Sequence, residues 1–510
     1  MPLGTAFHPR TLPLCESLNY REWAGYYAVS AYEMHHEHEY AAIRNGAALI
    51  DVSPLFKYRL SGPDATRLVD RIVTRDATKV AVGAVIYTPW CDEHGMVIDD
   101  GTVSRLEEQV WRWTAADPNL RWFRQNAAGL RVEVEEISEQ VAALSVQGPT
   151  SARLISAAGH VDLSDLKYFR LTHGTIAGIP VDVSRTGYTG DLGYEIWMPW
   201  DRAVEVWDRL VEVGHAFDAR PAGMLALDVA RIEAGLLLID VDFHGSKKVP
   251  IDAQRYSPYE MNLGRLVSEK KGPFVGRESL SAERERGPKR QIVGLEIDWD
   301  DIERQFADVG LPPQVPTAAS RVAVPVYRGG SQVGKATSTT WSPVLKKMLA
   351  LATIEAPHFA TGTALEIELT VEAVRRRARA SVVATPFYNP PQKTGMSLAR
   401  YLDAHADLRN VILADKAMFV PSVFITHPVA VQFEVPTTPP PCGTAVAVLA
   451  LGASGRQLAR TAGFVRAEQF APGPLERMVV AINPRHNERR GPVDVYVGSC
   501  DTVGTPGPGE

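Results

Sequence analysis

Two carboxylate-bearing stretches carry the chemistry of this chain. In "GMVIDDGTV" (95–103) the adjacent Asp99 and Asp100 precede a glycine, and in "SRTGYTGDLGYEIWM" (184–198) Glu195 follows Gly187, Gly190 and Gly193. A carboxylate on a strand can accept two parallel N–H donors, or stabilise positive charge that develops beside it. Strand alternation sends Asp99 and Asp100 to opposite faces, so only one is expected to enter a site. A turn that needs φ > 0 accounts for one glycine or two. Three of them, with Tyr188, Thr189 and Asp191 between, predict a backbone that another group approaches closely. On these residues alone, the DD pair is also ordinary turn chemistry and the second stretch an ordinary hairpin. "HHEHE" (35–39) invites a metal site, but only His35 and His38 have a spacing that shares a helical face. Two ligands without a third make a poor site, so a solvated helix face and no metal are expected.

The elements that must position these groups follow from periodicity. "EYAAIRNGAALIDVS" begins as a helix ending at Asn45-Gly46, "FKYRLSG" alternates like a strand, and "PDATRLVDRIV" reads as a helix opened by Pro63-Asp64. "AVIYTPWCDEHGMVIDDGTVSRL" predicts two strands joined at Gly95, and "VAALSVQGPTSARLISAAG" a strand, a turn at Gly148-Pro149 and a helix. "DRAVEVWDRLVEVGHAFDARPAG" is an amphipathic helix followed by a loop. The class is α+β, with antiparallel strands interrupted by helices. The charged "SAERERGPKR" (281–290) marks a boundary, and the strand-rich stretch after it, with a hairpin signal at Gly329-Gly330, predicts a small β-barrel. "PFYNPPQKTG" (386–395) is a second boundary, followed by a helix in "SLARYLDAHADL" and a mainly-β module. The expected domains are 1–285, 288–390 and 396–505.

With 510 residues, 45% hydrophobic and 22% charged, the composition is that of an ordinary globular protein. A net charge of −6 over that length favours neither nucleic acid nor an anionic membrane surface. The four cysteines are far apart, which fits a reducing cytoplasm, and no apolar run of membrane-spanning length or secretory h-region is found.

The two carboxylate stretches belong to an ordered set. "GMVIDDGTV", "ALSVQGPTSA" (143–152), "RTGYTGDLGYEI" (185–196), "DVARIEAGL" (228–236) and "STTWSPVLKKMLALATI" (338–354) occur in that order. At these positions the chain resembles the folate-binding aminomethyltransferase family, over roughly residues 35 to 388. That family includes the T component of the glycine cleavage system and folate-dependent demethylases. The resemblance implies a three-lobed α+β fold with tetrahydrofolate in a central funnel, followed by a small β-barrel. It places Glu195 on the 2-amino-4-oxo edge of the pterin, with Gly187, Gly190 and Tyr188 beside the ring. It places Asp100 near N5 and N10 of the folate as the catalytic carboxylate. Arg231 is expected to support the folate site or to pair with Glu233. Trp341 is expected to close the funnel or to sit in the barrel core.

Two segments depart from the glycine cleavage pattern. "SLNYREWAGYYAVSAYE" replaces the usual opening segment, and "TAADPN" (114–119) puts Ala115 where an asparagine is expected. They turn the expectation toward a demethylase that moves a methyl or methylene unit from a small N-, O- or S-methylated donor to tetrahydrofolate. A glycine cleavage aminomethyltransferase and a non-catalytic folate-binding regulator are the alternatives. Tyr26, Tyr27, Tyr32, His244 and Tyr259 are candidate donor-side groups, and the C-terminal module is a candidate oligomerisation element.

Overall fold

The computed structural model describes residues 1–394 and, beyond them, six strands between Met418 and Ser499. Contacts divide the chain into two units, Met1–Thr394 and Gly395–Glu510. The first unit is α+β, as expected, with three lobes and a barrel.

The first lobe is a seven-stranded sheet in the order Gly159–Val161, Leu171–Ile176, Ile179–Ser184, Gly193–Pro199, Val141–Gln147, Ala47–Asp51, Ala219–Pro221. All neighbours are antiparallel except the last pair. One face presents Tyr194, Ile196, Met198, Leu144 and Val146 to helices Ser151–Ala158 and Ala203–Gly214, forming a closed apolar core. Alternation turns Glu195, Trp197, Ser184 and Asp182 to the opposite face.

The second lobe is a five-stranded antiparallel sheet, Val85–Cys91, Val97–Glu107, Val110–Ala115, Phe56–Ser61 and Glu133–Glu136. Its outer face buries Trp111 and Trp113 against helices Ala65–Ile72 and Leu120–Asn126, with Trp90 edge-on to Trp113 at 5.1 Å. Its inner face carries Arg112, which crosses to the first sheet. There it reaches Asp182 at 2.6 Å and stacks 4.4 Å from the Trp197 ring. The two inner faces therefore meet, and the cleft between them holds the candidate site.

The third lobe is mostly irregular. Phe243, Tyr256, Met261, Leu263 and Phe274 form its core together with Cys91 and Val97 from the second sheet. It ends in helix Arg277–Arg286, which overlaps the charged stretch read as a boundary. The closed barrel runs Arg290–Ile297, Lys347–Glu355, Ser331–Ser342, Val324–Arg328, Ala364–Val371, Val374–Val383. Helix Trp299–Ala307, capped by the Asp298 side chain on the Asp301 N–H, covers it and has no counterpart in the sequence reading.

In the second unit, Met418–Ile425, Gly491–Ser499, Thr444–Leu451 and Gln457–Val465 form one sheet, and Val429–Glu434 pairs with Arg477–Ile482. The helix expected at "SLARYLDAHADL" and the terminal "TPGPGE" lie outside the described residues.

Candidate functional site

The glycine-rich turn is filled from within the protein. The buried Gln147 side chain runs into it, donating to the carbonyls of Thr186 (3.2 Å) and Tyr194 (3.3 Å) and accepting from the Thr189 hydroxyl (2.8 Å). A Cβ at either Gly187 or Gly193 would lie 2.1 Å from the Gln147 amide oxygen, far inside contact distance. Gly190, at φ +77°, faces Ala234 just beyond helix Met224–Glu233, where an added Cβ would lie 2.5 Å from the Ala234 Cβ. The close approach that three glycines predict is thus made by Gln147 and Ala234. Gly187 and Gly190 shape the wall beside the cleft.

Glu195 emerges from this turn half-buried on the inner face. The buried Thr186 hydroxyl donates to its Oε2 at 2.5 Å, and Oε1 has no protein partner among the described residues. Burial pushes its pKa up, opposed by the Thr186 bond and the Arg112 charge. Tyr168 is close enough to feel its charge.

Asp100 lies on strand Val97–Glu107 and is also half-buried. Tyr87 donates to its Oδ2 at 2.5 Å, leaving Oδ1 without a protein partner among the described residues. Burial raises its pKa to about 6, against the opposing pull of the Tyr87 hydrogen bond. Tyr188 stands within electrostatic reach of both Asp100 and Tyr87, its hydroxyl donating to the Leu237 carbonyl. Tyr87, Asp100, Tyr188 and Glu195 are ringed by protein yet each keeps a solvent-accessible face, as side chains lining a deep cleft do.

Asp99 does point to the opposite face, but it is fully buried. It accepts from the Asp100 N–H (2.8 Å), the Asp117 N–H (3.0 Å) and Asn119 Nδ2 (3.0 Å). Asn119 also receives the Trp90 indole N–H at 3.1 Å. The carboxylate behind Asp100 is therefore a polar anchor that fixes the strand and the loop after Ala115.

Arg231 is completely buried and does not pair with Glu233. It donates to Asp242 at 2.6 Å and to the Ser338 hydroxyl at 2.7 Å, binding helix Met224–Glu233 to the third lobe and the barrel. Glu233 is held instead by Arg44 (2.6 Å), Tyr40 (2.6 Å) and Ser342 (2.5 Å). Residues 231 and 233 lie on different sides of a helix, so each finds its own partner. Arg231 nevertheless sits near Tyr188, and its charge partly offsets the effect of burial on that phenol. Trp341 packs against the barrel core with its ring 4.8 Å from Trp299; its neighbour Ser342 is the one that reaches inward.

The donor-side candidates scatter. Tyr26 packs on Trp200 (5.7 Å), Tyr27 stacks on His8 (5.9 Å), and Tyr32 is buried near Asp51, Glu39 and Cys15. Tyr26 and Tyr27 belong to the hairpin Asn19–Trp23/Tyr26–Ala31 and Tyr32 follows it, and none hydrogen-bonds to Asp100 or Glu195. His244 faces Asp240 at 3.5 Å, and Tyr259 packs beneath Gly264. Helix Glu37–Asn45 begins after His35 and His36, while His38 bonds Glu33 at 2.7 Å.

Tyr87 and Thr186 are absent from the sequence reading. A signal for Tyr87 existed: counting back across the Gly95 turn sets Pro89 opposite Asp100 and Tyr87 opposite Thr102, one diagonal from Asp100 on the same face.

An α+β cleft with two carboxylates that form no ion pair among the described residues, followed by a closed barrel, suits a class of proteins that enclose a small ligand. The chain matches the GCVT N-terminal domain over residues 16–271 and the glycine cleavage T-protein C-terminal barrel domain over residues 304–389. It belongs to the glycine cleavage T-protein family. It is 36% identical over 408 residues to the trimethylamine-oxide aldolase of Ruegeria pomeroyi, covering 77% of this chain and 48% of that one. The chain thus spans about half the length of that relative. It is also 36% identical over 359 residues to the aminomethyltransferase of Moorella thermoacetica, covering 70% of this chain and 90% of that one. The crystal structure of glycine cleavage system aminomethyltransferase T from Bartonella henselae superposes with a TM-score of 0.65 at 21% identity, over 76% of this chain and 99% of that one, so the fold is shared.

Membership makes the protein an enzyme of one-carbon transfer with tetrahydrofolate as the acceptor. The cleft fits that cofactor: a pterin edge offers two parallel N–H donors, and Glu195 has an unoccupied oxygen on an accessible face. Among the described residues no helix is long and apolar enough to cross a membrane.

Proposed function

We propose that the protein moves a methyl or methylene unit from a small methylated donor to tetrahydrofolate, as a demethylase-type member of its family. Glu195 takes the pterin edge, Tyr188 lies beside the ring, and Asp100 serves the reacting nitrogens. When bound, tetrahydrofolate supplies N5 as the nucleophile. The observation that carries the reading is the Asp100–Tyr87 pair. A half-buried carboxyl with a pKa of about 6 and a 2.5 Å phenol bond can hold a proton near neutrality and give it to a leaving group. Relatedness supports a small methylated donor: one relative is named for trimethylamine oxide and matches at the same identity as an aminomethyltransferase. The replaced opening segment, and Ala115 where an asparagine is expected, support it further.

The test incubates the full chain with tetrahydrofolate and a panel of methylated amines, sulfonium compounds and ethers, trimethylamine N-oxide included. Mass spectrometry then reads 5-methyl- and 5,10-methylene-tetrahydrofolate. Turnover of one panel member at about 1 per second or faster is expected. Turnover of aminomethylated lipoyl carrier protein alone would return the protein to the glycine cleavage reaction.

A further inference from the structure

Beside the cleft, two arginines stand together without an acid. Arg75 and Arg265 come from segments clasped by the Thr74 hydroxyl on the Leu266 carbonyl (3.0 Å) and the Ser268 N–H on the Thr74 carbonyl (2.9 Å). Their guanidinium groups repel, and neither forms an ion pair with any described carboxylate. The nearby acids are engaged elsewhere, Asp70 with Lys271 at 3.1 Å and Asp76 with Lys79 at 2.7 Å. Among the described residues the Arg75 side chain donates only to the carbonyl of Tyr87, at 3.4 Å, and the Arg265 charge reaches the Tyr87 phenol that holds Asp100. Arg265 also lines a cavity of about 220 Å³ with Tyr259, Asn262, Gly264, Pro288 and Gln291. Gly264 is required there, because a Cβ would meet the Tyr259 ring at 2.6 Å.

Arg75 is half-buried and Arg265 exposed; burial and the Arg265 charge both disfavour the Arg75 cation, and an anion received by the two would relieve that. Two guanidinium forks match a carboxylate in geometry as well as charge. We infer that Arg75 and Arg265 form a carboxylate-binding site at the edge of the Asp100 cleft, filled by a carboxylate of a molecule that occupies the cleft. The inference rests on the folate reading for one of its two sources. Tetrahydrofolate ends in a glutamate with two carboxylates, and a methylated amino acid as donor carries one.

The test compares the full-length wild type with Arg75→Gln/Arg265→Gln and Arg75→Lys/Arg265→Lys. The ligands are tetrahydrofolate, 6-methyltetrahydropterin (which has no carboxylate), N,N-dimethylglycine and glutarate. The glutamine variant is expected to lose about tenfold in affinity for at least one carboxylate-bearing ligand, with the lysine variant in between and the loss shrinking as salt rises. Affinity for 6-methyltetrahydropterin is expected to stay within twofold. A loss for tetrahydrofolate assigns the site to the glutamyl end, and a loss for N,N-dimethylglycine alone assigns it to the donor. If the wild type binds neither pterin, the folate reading fails by itself, and loss of glutarate binding in the glutamine variant still upholds the anion site. Unchanged affinity of the glutamine variant for all carboxylates, with wild-type thermal stability, overturns the proposal.

Discussion

The acidic groups around helix Met224–Glu233 and those of the cleft are built on opposite plans. Glu233, Asp242 and Asp228 each meet an arginine: Arg44 at 2.6 Å, Arg231 at 2.6 Å and Arg321 at 2.7 Å. All three are buried; Glu233 and Asp242 are further hydrogen-bonded by hydroxyls, and Asp228 also meets Arg21 at 3.5 Å. Asp100 and Glu195 each receive one hydroxyl and, among the described residues, keep one oxygen without a partner and form no ion pair. The first set is compensated and holds elements together. The second leaves acceptors unused, an arrangement suited to a ligand that supplies the missing partner. Pairing with arginine therefore separates the carboxylates around this helix from the two candidate site carboxylates.

The strongest way to break that comparison is Asp100→Asn. If Asp100 delivers a proton, turnover is expected to fall by about 10²- to 10⁴-fold while tetrahydrofolate affinity changes less than about threefold. Equal losses in the two measurements would reduce Asp100 to a binding group. The pH dependence sharpens the same point. Its folded pKa of about 6 exceeds the ordinary value of 3.8, so the folded state binds the proton more tightly. The stabilisation is full below 3.8 and is lost as pH rises through about 6, leaving a cost of up to about 3 kcal/mol at neutral pH. Asp100→Asn is thus expected to melt above the wild type at pH 8 and to match it near pH 4. Turnover of the wild type should decline as pH rises through about 6.

Glu233→Gln tests the compensated set. Removing its charge leaves Arg44 buried with Asp191 at 3.5 Å as the nearest acid, and a cost of about 3–5 kcal/mol is expected by denaturant unfolding. A loss below about 1 kcal/mol would mean that the network is not what binds the glycine-rich turn to the helix.

Glu195→Gln keeps shape but turns one acceptor into a donor facing the pterin. Calorimetry should record a loss of about 1.5–3 kcal/mol in tetrahydrofolate affinity, roughly ten- to a hundredfold. Unchanged affinity would remove Glu195 from the ligand.

Asp99→Asn gives the smallest effect. Its carboxylate accepts three N–H donors, so an amide must set its own NH₂ against at least one of them. About 1–3 kcal/mol of stability should be lost. A silent substitution would show that Asn119 can turn its amide to compensate.

Local pattern carried most of the frame. Alternation placed Asp99 and Asp100 on opposite faces, Gly46 ended helix Glu37–Asn45, and Gly95 joined the two strands that carry Tyr87 and Asp100. These are readable because periodicity and turn chemistry act over a few residues. Partner choice was not readable. Arg231 finds Asp242 and Ser338, 11 and 107 residues away, and Glu233 finds Arg44 from 189 residues away. The three glycines clear space for Gln147 and Ala234, which reach the turn only because strand Val141–Gln147 and helix Met224–Glu233 pack there. Asp99 faces away from the cleft by alternation, but only the loop carrying Asn119 decides that away means buried. The sequence by itself determined which residues sit on which face of which element. The tertiary structure alone decided which charges are compensated, because that depends on distances between elements far apart in the chain and electrostatic energy falls with distance and solvent access.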